Sequence, residues 1–269
     1  MKKTLSFIII SFISFFIFHF SFSPARAQNL YIGSFYVTST TEESSYGDGG
    51  NKWTNRMPVI CDMFNFEQPD VLGLQSLTEA QIGQISKRMT SYKFAGDILY
   101  NKELNLDTCG IVSEMPEGST CSWVRLQKNG SPFYVFNICF STEITVATSS
   151  STRIRTAIGE INAENLPVFI VGFLGVNETK TAYSRIISRY NDCFTQAASR
   201  SAEYGTVNNF DLTANHSDDR YDFVFASKNV SVQAYGQLQY GYFTKESDGN
   251  MKRRLPSTHF PVMAKVKLP

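Results

Sequence analysis

Apolar positions along the chain follow two spacings, which predict short strands interleaved with helices. The strand-like runs are rich in β-branched and aromatic residues and are bounded by turn residues. They cover 30–37, 71–75, 92–95, 110–113, 121–126, 133–140, 167–172, 221–226, 230–235 and 260–266. The run 167–172 is apolar throughout, as is typical of a strand that is covered on both faces of its sheet. The mixed order of elements predicts an α/β protein built from layers, with mixed sheets.

Helical spacing occurs at 55–66, in the segment that follows 152, where Ile154, Ile158 and Ile161 share one face, and at 181–190. A further helix is predicted to begin at Thr78, because Thr78 and Gln81 form a capping box. The serine- and threonine-rich segment 141–152 is predicted to be an exposed loop, and 40–50 is predicted to be a polar, glycine-rich loop.

The first 27 residues have the pattern of an export signal. Lys2 and Lys3 precede the apolar run 5–22, and Ala25-Arg26-Ala27 supplies small residues for a cleavage site. The apolar run is long enough to be a membrane anchor instead. Cleavage after Ala27 is favoured because the small-residue site follows directly. We therefore expect an exported protein, periplasmic or extracellular, with no stable membrane anchor after cleavage and with 28–269 as a single domain.

Charge and cysteine content restrict the partners only weakly. The net charge of +1 becomes about −2 once Lys2, Lys3 and Arg26 are removed, so no overall basic excess favours nucleic acid. Five cysteines are present, and none of them forms a zinc-type CxxC pair. Cys109 and Cys121 lie where they could pair across a hairpin, and the sequence leaves this pairing open.

Several segments, taken in order, resemble the endonuclease/exonuclease/phosphatase superfamily, a deoxyribonuclease-like fold, and its secreted bacterial branch in particular. The resemblance rests on LYIGSFYV, QPDVLGLQSL, PFYVFNICF, LPVFIVGFLG, DRYDFVFAS and STHFPVMAKV. It implies a four-layer sandwich of two mixed β-sheets packed face to face with helices outside. It also implies an active site at one end of the sandwich, where a divalent cation, commonly magnesium, assists hydrolysis of phosphodiesters or phosphomonoesters.

Most positions that carry this chemistry in the superfamily hold other residues here. Ser76 stands where the resemblance implies the glutamate that is the chief metal ligand, and Cys139 stands where it implies a catalytic histidine. His259 matches the retained histidine of the closing motif, while Arg220 and Asp222 match a supporting Arg-x-Asp pattern. The degenerate motif positions are Tyr36, Ser76, Cys139, Ser141, Phe173, Gly175 and Thr258.

These replacements remove the groups that the reaction needs. A magnesium ion is usually drawn to a site by carboxylates and phosphate, and Ser76 offers only a neutral hydroxyl. Phe173 and Gly175 stand where the resemblance implies an aspartate and an asparagine, and neither carries a polar side chain to orient water. Thr258 cannot polarise a histidine as an aspartate does, so we interpret His259 as a structural residue fixed by a backbone hydrogen bond at the start of a strand. A retained anion contact is the alternative for His259.

The sequence thus predicts a catalytically inactive binding module, with no metal site and no cofactor. A first alternative is a divalent-metal-dependent phosphoesterase with non-standard ligands, for which magnesium would be the cofactor. A second is a secreted glycan-binding protein that uses Tyr36 and neighbouring aromatic residues. A phosphorylated small molecule, a nucleic acid and a glycan all remain open as ligands.

Overall fold

The computed structural model describes residues 28–46, 49–201, 205–212 and 219–269. The predicted signal peptide, 1–27, lies outside the described residues. Within the described ranges, no helix combines the length and apolar character that crossing a bilayer requires.

Short strands make up most of the described chain. In chain order they are β1 (Asn29–Tyr36), β2 (Val71–Gln75), β3 (Tyr92–Ala95), β4 (Ile98–Asn101), β5 (Asn105–Ile111), β6 (Thr120–Lys128), β7 (Ser131–Cys139), β8 (Val168–Phe173), β9 (Tyr190–Asp192), β10 (Ser199–Ser201), β11 (Asp222–Ser227), β12 (Ser231–Gln237), β13 (Tyr242–Lys245), β14 (Met251–Arg254) and β15 (Val262–Lys267). The helices are α1 (Trp53–Glu67), α2 (Glu79–Arg88), α3 (Ile144–Ile161), α4 (Thr181–Ile187) and α5 (Cys193–Gln196).

The described strands form two large sheets and one hairpin. One sheet has seven strands in the order β10-β12-β15-β1-β2-β4-β3, the other has six in the order β5-β6-β7-β8-β11-β9, and β13 pairs with β14. Each large sheet is mixed, because β1 runs parallel to β2 and β7 runs parallel to β8 while most other pairs are antiparallel. The carboxyl ends of these two parallel pairs lie at one end of the sandwich.

Three apolar clusters separate four layers. Ile32 and Val71 of one sheet face Val135 and Val171 of the other in the central cluster. A second cluster joins α1 and α2 to the outer face of the seven-stranded sheet, and a third joins α3 and α4 to the outer face of the six-stranded sheet. The predicted α/β class, with two mixed sheets face to face and helices outside, is confirmed.

The capping box at the start of α2 forms as predicted. The Thr78 hydroxyl accepts a hydrogen bond from the backbone N–H of Gln81, and the Gln81 side-chain oxygen accepts one from the backbone N–H of Thr78. Both donors would otherwise be unpaired in the first turn of the helix.

The predicted loop at 141–152 is wrong, because α3 already begins at Ile144. Hydroxyl groups of this segment hydrogen-bond back to carbonyls one turn earlier, as Thr148 does to Ile144 and Ser150 to Val146. Ser150 and Ser151 are buried against the rest of the fold. Tertiary packing thus outweighs the weak helix propensity of serine and threonine. The helix predicted over 181–190 is also too long, because α4 ends at Ile187 and Tyr190 is the first residue of β9.

All five cysteines are free thiols. Cys109 of β5 is exposed and pairs with Val124 of β6. Cys121 is buried and lies three residues before Val124 on β6. The hairpin register therefore separates the two thiols, and the disulfide considered from the sequence is not formed.

Candidate functional site

Three rings pack together at the end of the sandwich where β1 and β8 terminate. The ring of Tyr36 stacks on the imidazole of His259, with centroids 4.3 Å apart and planes 20° apart. Phe173 meets both rings edge-on, at 5.2 Å from Tyr36 and 5.4 Å from His259. Two of the positions that were predicted to be degenerate, Tyr36 and Phe173, are thus brought into one aromatic cluster with His259.

The imidazole of His259 is held by a carboxylate and not only through its backbone. Its Nδ1 lies 2.7 Å from Oδ2 of Asp222, the first residue of β11, and both side chains are buried. This differs from the prediction of a histidine fixed by a backbone hydrogen bond alone. Because Asp222 lies far along the chain, the sequence motif around Thr258 could not reveal the partner.

Thr258 belongs to a separate hydroxyl cluster. Its Oγ1 lies 2.6 Å from Oγ1 of Thr38, which also lies 2.9 Å from Oγ of Ser257. Ser257 in turn donates to the backbone carbonyl of Tyr36 at 2.5 Å. These contacts connect the segment before β15 to the end of β1. Thr258 therefore helps to hold the backbones of these two segments together.

A carboxylate that the sequence did not single out reaches Ser76. Glu42 accepts hydrogen bonds from the hydroxyl of Tyr36 at 2.6 Å, from the backbone N–H of Ser39 at 2.9 Å and from the hydroxyl of Ser76. Burial raises the pKa of Glu42, but the hydrogen bonds from Ser76, Tyr36 and Ser39 together outweigh it and leave the pKa below its ordinary value. Glu42 is therefore an anion whose two oxygens are already engaged.

Cys139 keeps its proton in this environment. Burial and, to a smaller extent, the nearby carboxylates of Asp97, Asp222 and Glu42 together raise the pKa of its thiol to about 12. A protonated thiol is neither the nucleophile nor the metal ligand that a thiolate is. Cys139 thus does not substitute for the histidine that the superfamily resemblance implies at this position.

The donor set does not fit the divalent cation that the resemblance implies. Magnesium requires a near-octahedral set of oxygen ligands. Glu42 is engaged by three donors and Asp222 is paired with His259. Among the described residues, Oδ1 of Asp222 is the one buried carboxylate oxygen without a protein partner. In the part of the chain that the structure describes, no group of three His, Cys, Asp or Glu side chains converges as metal ligands do.

Gly175 and Ser141 lie against each other at the edge of the site. Gly175 has φ of 76°, and a Cβ there would lie 2.1 Å from the backbone carbonyl oxygen of Ser141. The backbone N–H of Ser141 donates to the hydroxyl of Ser119 at 3.0 Å. The chain at Gly175 is therefore packed too closely to admit a polar side chain.

Arg220, the other residue of the predicted supporting pair, makes its contacts in the protein interior. It forms a 2.8 Å ion pair with Asp192 and lies over the ring of Phe194 at 4.2 Å, and it is 5 % exposed. Of the predicted Arg-x-Asp pair, only Asp222 enters the aromatic cluster.

Sequence analysis missed Arg56, which organises the loops around the site. Its fully buried guanidinium donates to the carbonyls of Val37, Thr38, Asn51 and Pro256 and to the carboxylate of Glu43. The sequence pattern that could have identified Arg56 is its helical spacing with Trp53 and Ile60, which places it on the buried face of α1.

Replacing Glu42 with glutamine is expected to lower the free energy of unfolding by about 1 kcal/mol at pH 7, because an amide cannot accept from all three donors. The folded pKa of Glu42 is lowered, so its stabilisation is present above the ordinary value of 4.5 and is lost as pH falls through the folded pKa. Urea denaturation of both proteins should show a difference at pH 7 that shrinks below about pH 4.5. A difference that grows on acidification would contradict the assignment of Glu42 as an anion.

Comparison with known proteins identifies structural relatives only. No protein-family model and no curated protein sequence matches this chain. An endonuclease/exonuclease/phosphatase family protein from Bacteroides thetaiotaomicron superimposes with a TM-score of 0.84 at 24% identity, covering 91% of this chain and 99% of that one.

Two further structures widen this set. A mannosyl-6-phosphatase from Bacteroides thetaiotaomicron gives a TM-score of 0.81 at 24% identity, over 88% of this chain and 99% of that one. TDP2 from D. rerio, complexed with a single-strand DNA product, gives 0.66 at 17% identity, over 89% and 99%. The chain therefore has the fold of the endonuclease/exonuclease/phosphatase family.

Proposed function

We propose that this chain is an exported, non-hydrolytic binding protein built on the endonuclease/exonuclease/phosphatase fold. The observation that carries the proposal is the position of Tyr36, whose ring covers His259 while its hydroxyl engages Glu42. One aromatic side chain thus occupies the space between the two groups on which a metal-assisted reaction would depend. Export is proposed from the signal-like segment at 1–27.

Loss of hydrolysis follows from the chemistry of the site. Phosphoryl transfer depends on positioned charge, chiefly a metal ion and cationic or hydrogen-bonding groups around the phosphate. Ser76 and Phe173 supply no charge, and the Cys139 thiol stays protonated. Because such groups act as a unit, their joint absence removes far more than the loss of any one of them.

A phosphoesterase with non-standard ligands is the second candidate, favoured by the buried pair of His259 and Asp222. A histidine oriented by a carboxylate is a common acid–base device in hydrolases. The mannosyl-6-phosphatase of similar fold makes a phosphomonoester a reasonable substrate to test. The glycan-binding hypothesis has less support, because one face of the Tyr36 ring is covered by His259.

A turnover assay tests the proposed function. The purified protein is incubated with plasmid DNA, with bis-(p-nitrophenyl) phosphate and with the monoester p-nitrophenyl phosphate in the presence of Mg²⁺ or Mn²⁺. We expect rates that equal the protein-free blank and equal those of His259→Ala, because the loss of one catalytic group from an active site typically costs about 10²–10⁴-fold and would be visible. Metal-dependent turnover that His259→Ala abolishes would overturn the proposal.

A further inference from the structure

A cleft of about 560 Å³ opens beside Ser76, between the end of β2, the β3–β4 turn and the β5–β6 hairpin. Its volume lies within the range of sites that hold small molecules. Ser76 and Cys139 form the side that borders the aromatic cluster. From there the cleft extends along the adjoining ends of β5 and β6.

The walls of the cleft are apolar. Leu74, Leu77, Val112 and Met115 line them, and Ile111 stands at the rim with 79% of its surface exposed. An aliphatic side chain this exposed next to an apolar cavity is an unfavourable contact with water that a bound molecule would relieve. The walls therefore suit an apolar body such as a fused ring.

The floor of the cleft carries a fixed acid, Asp97. Its carboxylate accepts a hydrogen bond from the hydroxyl of Ser122, which also lines the cleft. Behind it, Asn137 is held by Gln75 at 2.6 Å and donates to the carbonyl of Leu74 at 3.0 Å. Asn137 also donates to the backbone carbonyl of Asp97 at 3.5 Å, so this buried network holds the acid in place and supplies no cationic partner.

Charge in the cleft has one sign. The described residues that line it include Asp97 but no lysine, arginine or histidine. Burial raises the pKa of Asp97, with hydrogen bonds from Ser122 and Asn137 acting against the rise, so a cation placed beside the carboxylate would offset the cost of burying it. A phosphate group would meet like charge and no basic partner.

We propose that this cleft binds small molecules with a ring-sized apolar body and an amino group that pairs with Asp97, in preference to phosphorylated ligands. The inference rests on the proposed binding function and names its ligand class. A preference for amines would differ from the phosphorylated ligands that the fold suggests.

Three probes that share a naphthalene ring test the preference: 2-naphthylmethylamine, the near-isosteric 2-naphthylmethanol and 2-naphthyl phosphate. Calorimetric titration at pH 7 should give the amine at least about tenfold tighter binding than the phosphate, with the alcohol between them. The same phosphate ester reports hydrolysis through release of fluorescent 2-naphthol. Release would refute the non-hydrolytic function, whereas weak amine binding without release would refute only the ligand class.

Two variants and one control locate the binding. Asp97→Asn should weaken the amine about tenfold and leave the alcohol within about twofold, so the alcohol also shows that the cleft stays folded. Ile111→Thr should weaken both probes, while Leu106→Thr, on the same strand but outside the cleft, should weaken neither. The proposal is overturned by phosphate binding as tight as amine binding, by amine binding that Asp97→Asn leaves unchanged, or by no saturable amine binding up to about 1 mM.

Discussion

Replacing Arg56 with alanine is expected to lower the free energy of unfolding by about 3–5 kcal/mol, the range seen when one partner of a buried polar network is removed. The guanidinium is 0 % exposed and satisfies four backbone carbonyls and Glu43. Alanine leaves those carbonyls buried without a donor, and each such group costs about 1–3 kcal/mol. Chemical denaturation monitored by fluorescence measures the change.

Arg88 provides the matched control. It forms a bidentate ion pair with Asp62, but both side chains are substantially exposed. Exposed pairs contribute about 0–1 kcal/mol, so Arg88→Ala should be nearly neutral. Equal losses for the two variants would mean that Arg56 does not hold together the end of β1 and the segment before β15.

Replacing Gly175 with asparagine, the residue that the superfamily resemblance implies there, is expected to destabilise the protein by about 3 kcal/mol and to restore no hydrolysis. The new Cβ would lie 2.1 Å from the carbonyl oxygen of Ser141, which is backbone and cannot move aside cheaply. Thermal or urea unfolding measures the loss.

Gly130→Asn is the control that measures the cost of a positive φ without steric crowding. Gly130 also has positive φ, at 82°, but nothing lies within 4 Å of a Cβ built there. Asparagine tolerates the left-handed region, so this control should cost less than about 1 kcal/mol. If Gly175→Asn were as mild as Gly130→Asn, the site would still have room for a water-orienting side chain.

If both losses are observed, this end of the sandwich is packed too tightly for a single substitution to supply the groups that the superfamily resemblance implies. Arg56 fixes the backbone that carries Thr38 and Pro256, and the close contact at Gly175 closes the opposite edge. A single substitution at Gly175 toward the superfamily pattern should therefore restore no hydrolysis, because the backbone of Ser141 leaves no space for a side chain there.

Periodicity predicted the fold well where burial decides the residue pattern. The central strands β2, β7 and β8 are apolar on both faces, and their predicted bounds fall within two residues of the observed ones. It failed at 141–152, since hydroxyl groups that bond back to the helix and are buried by tertiary packing give no apolar signal. The short strands β9 and β10 lack enough residues to show any period.

The site was predictable only where a motif is local. Tyr36, Phe173 and His259 were identified from their motifs, and the structure brings them together. The contacts of Asp222 with His259 and of Glu42 with Ser76 depend on how distant loops meet, so no spacing along the chain encodes them. The acidic surroundings of Cys139 likewise emerge only from the fold.

Manganese binding tests most directly whether the donor groups at this site can hold a divalent cation. Titration of the purified protein with Mn²⁺, followed by electron paramagnetic resonance of the free ion, should show no saturable site up to about 1 mM. One ion per chain with a tighter dissociation constant, lost on Glu42→Gln or Asp222→Asn, would mean that these carboxylates still form a metal centre and that the binding-only function is wrong.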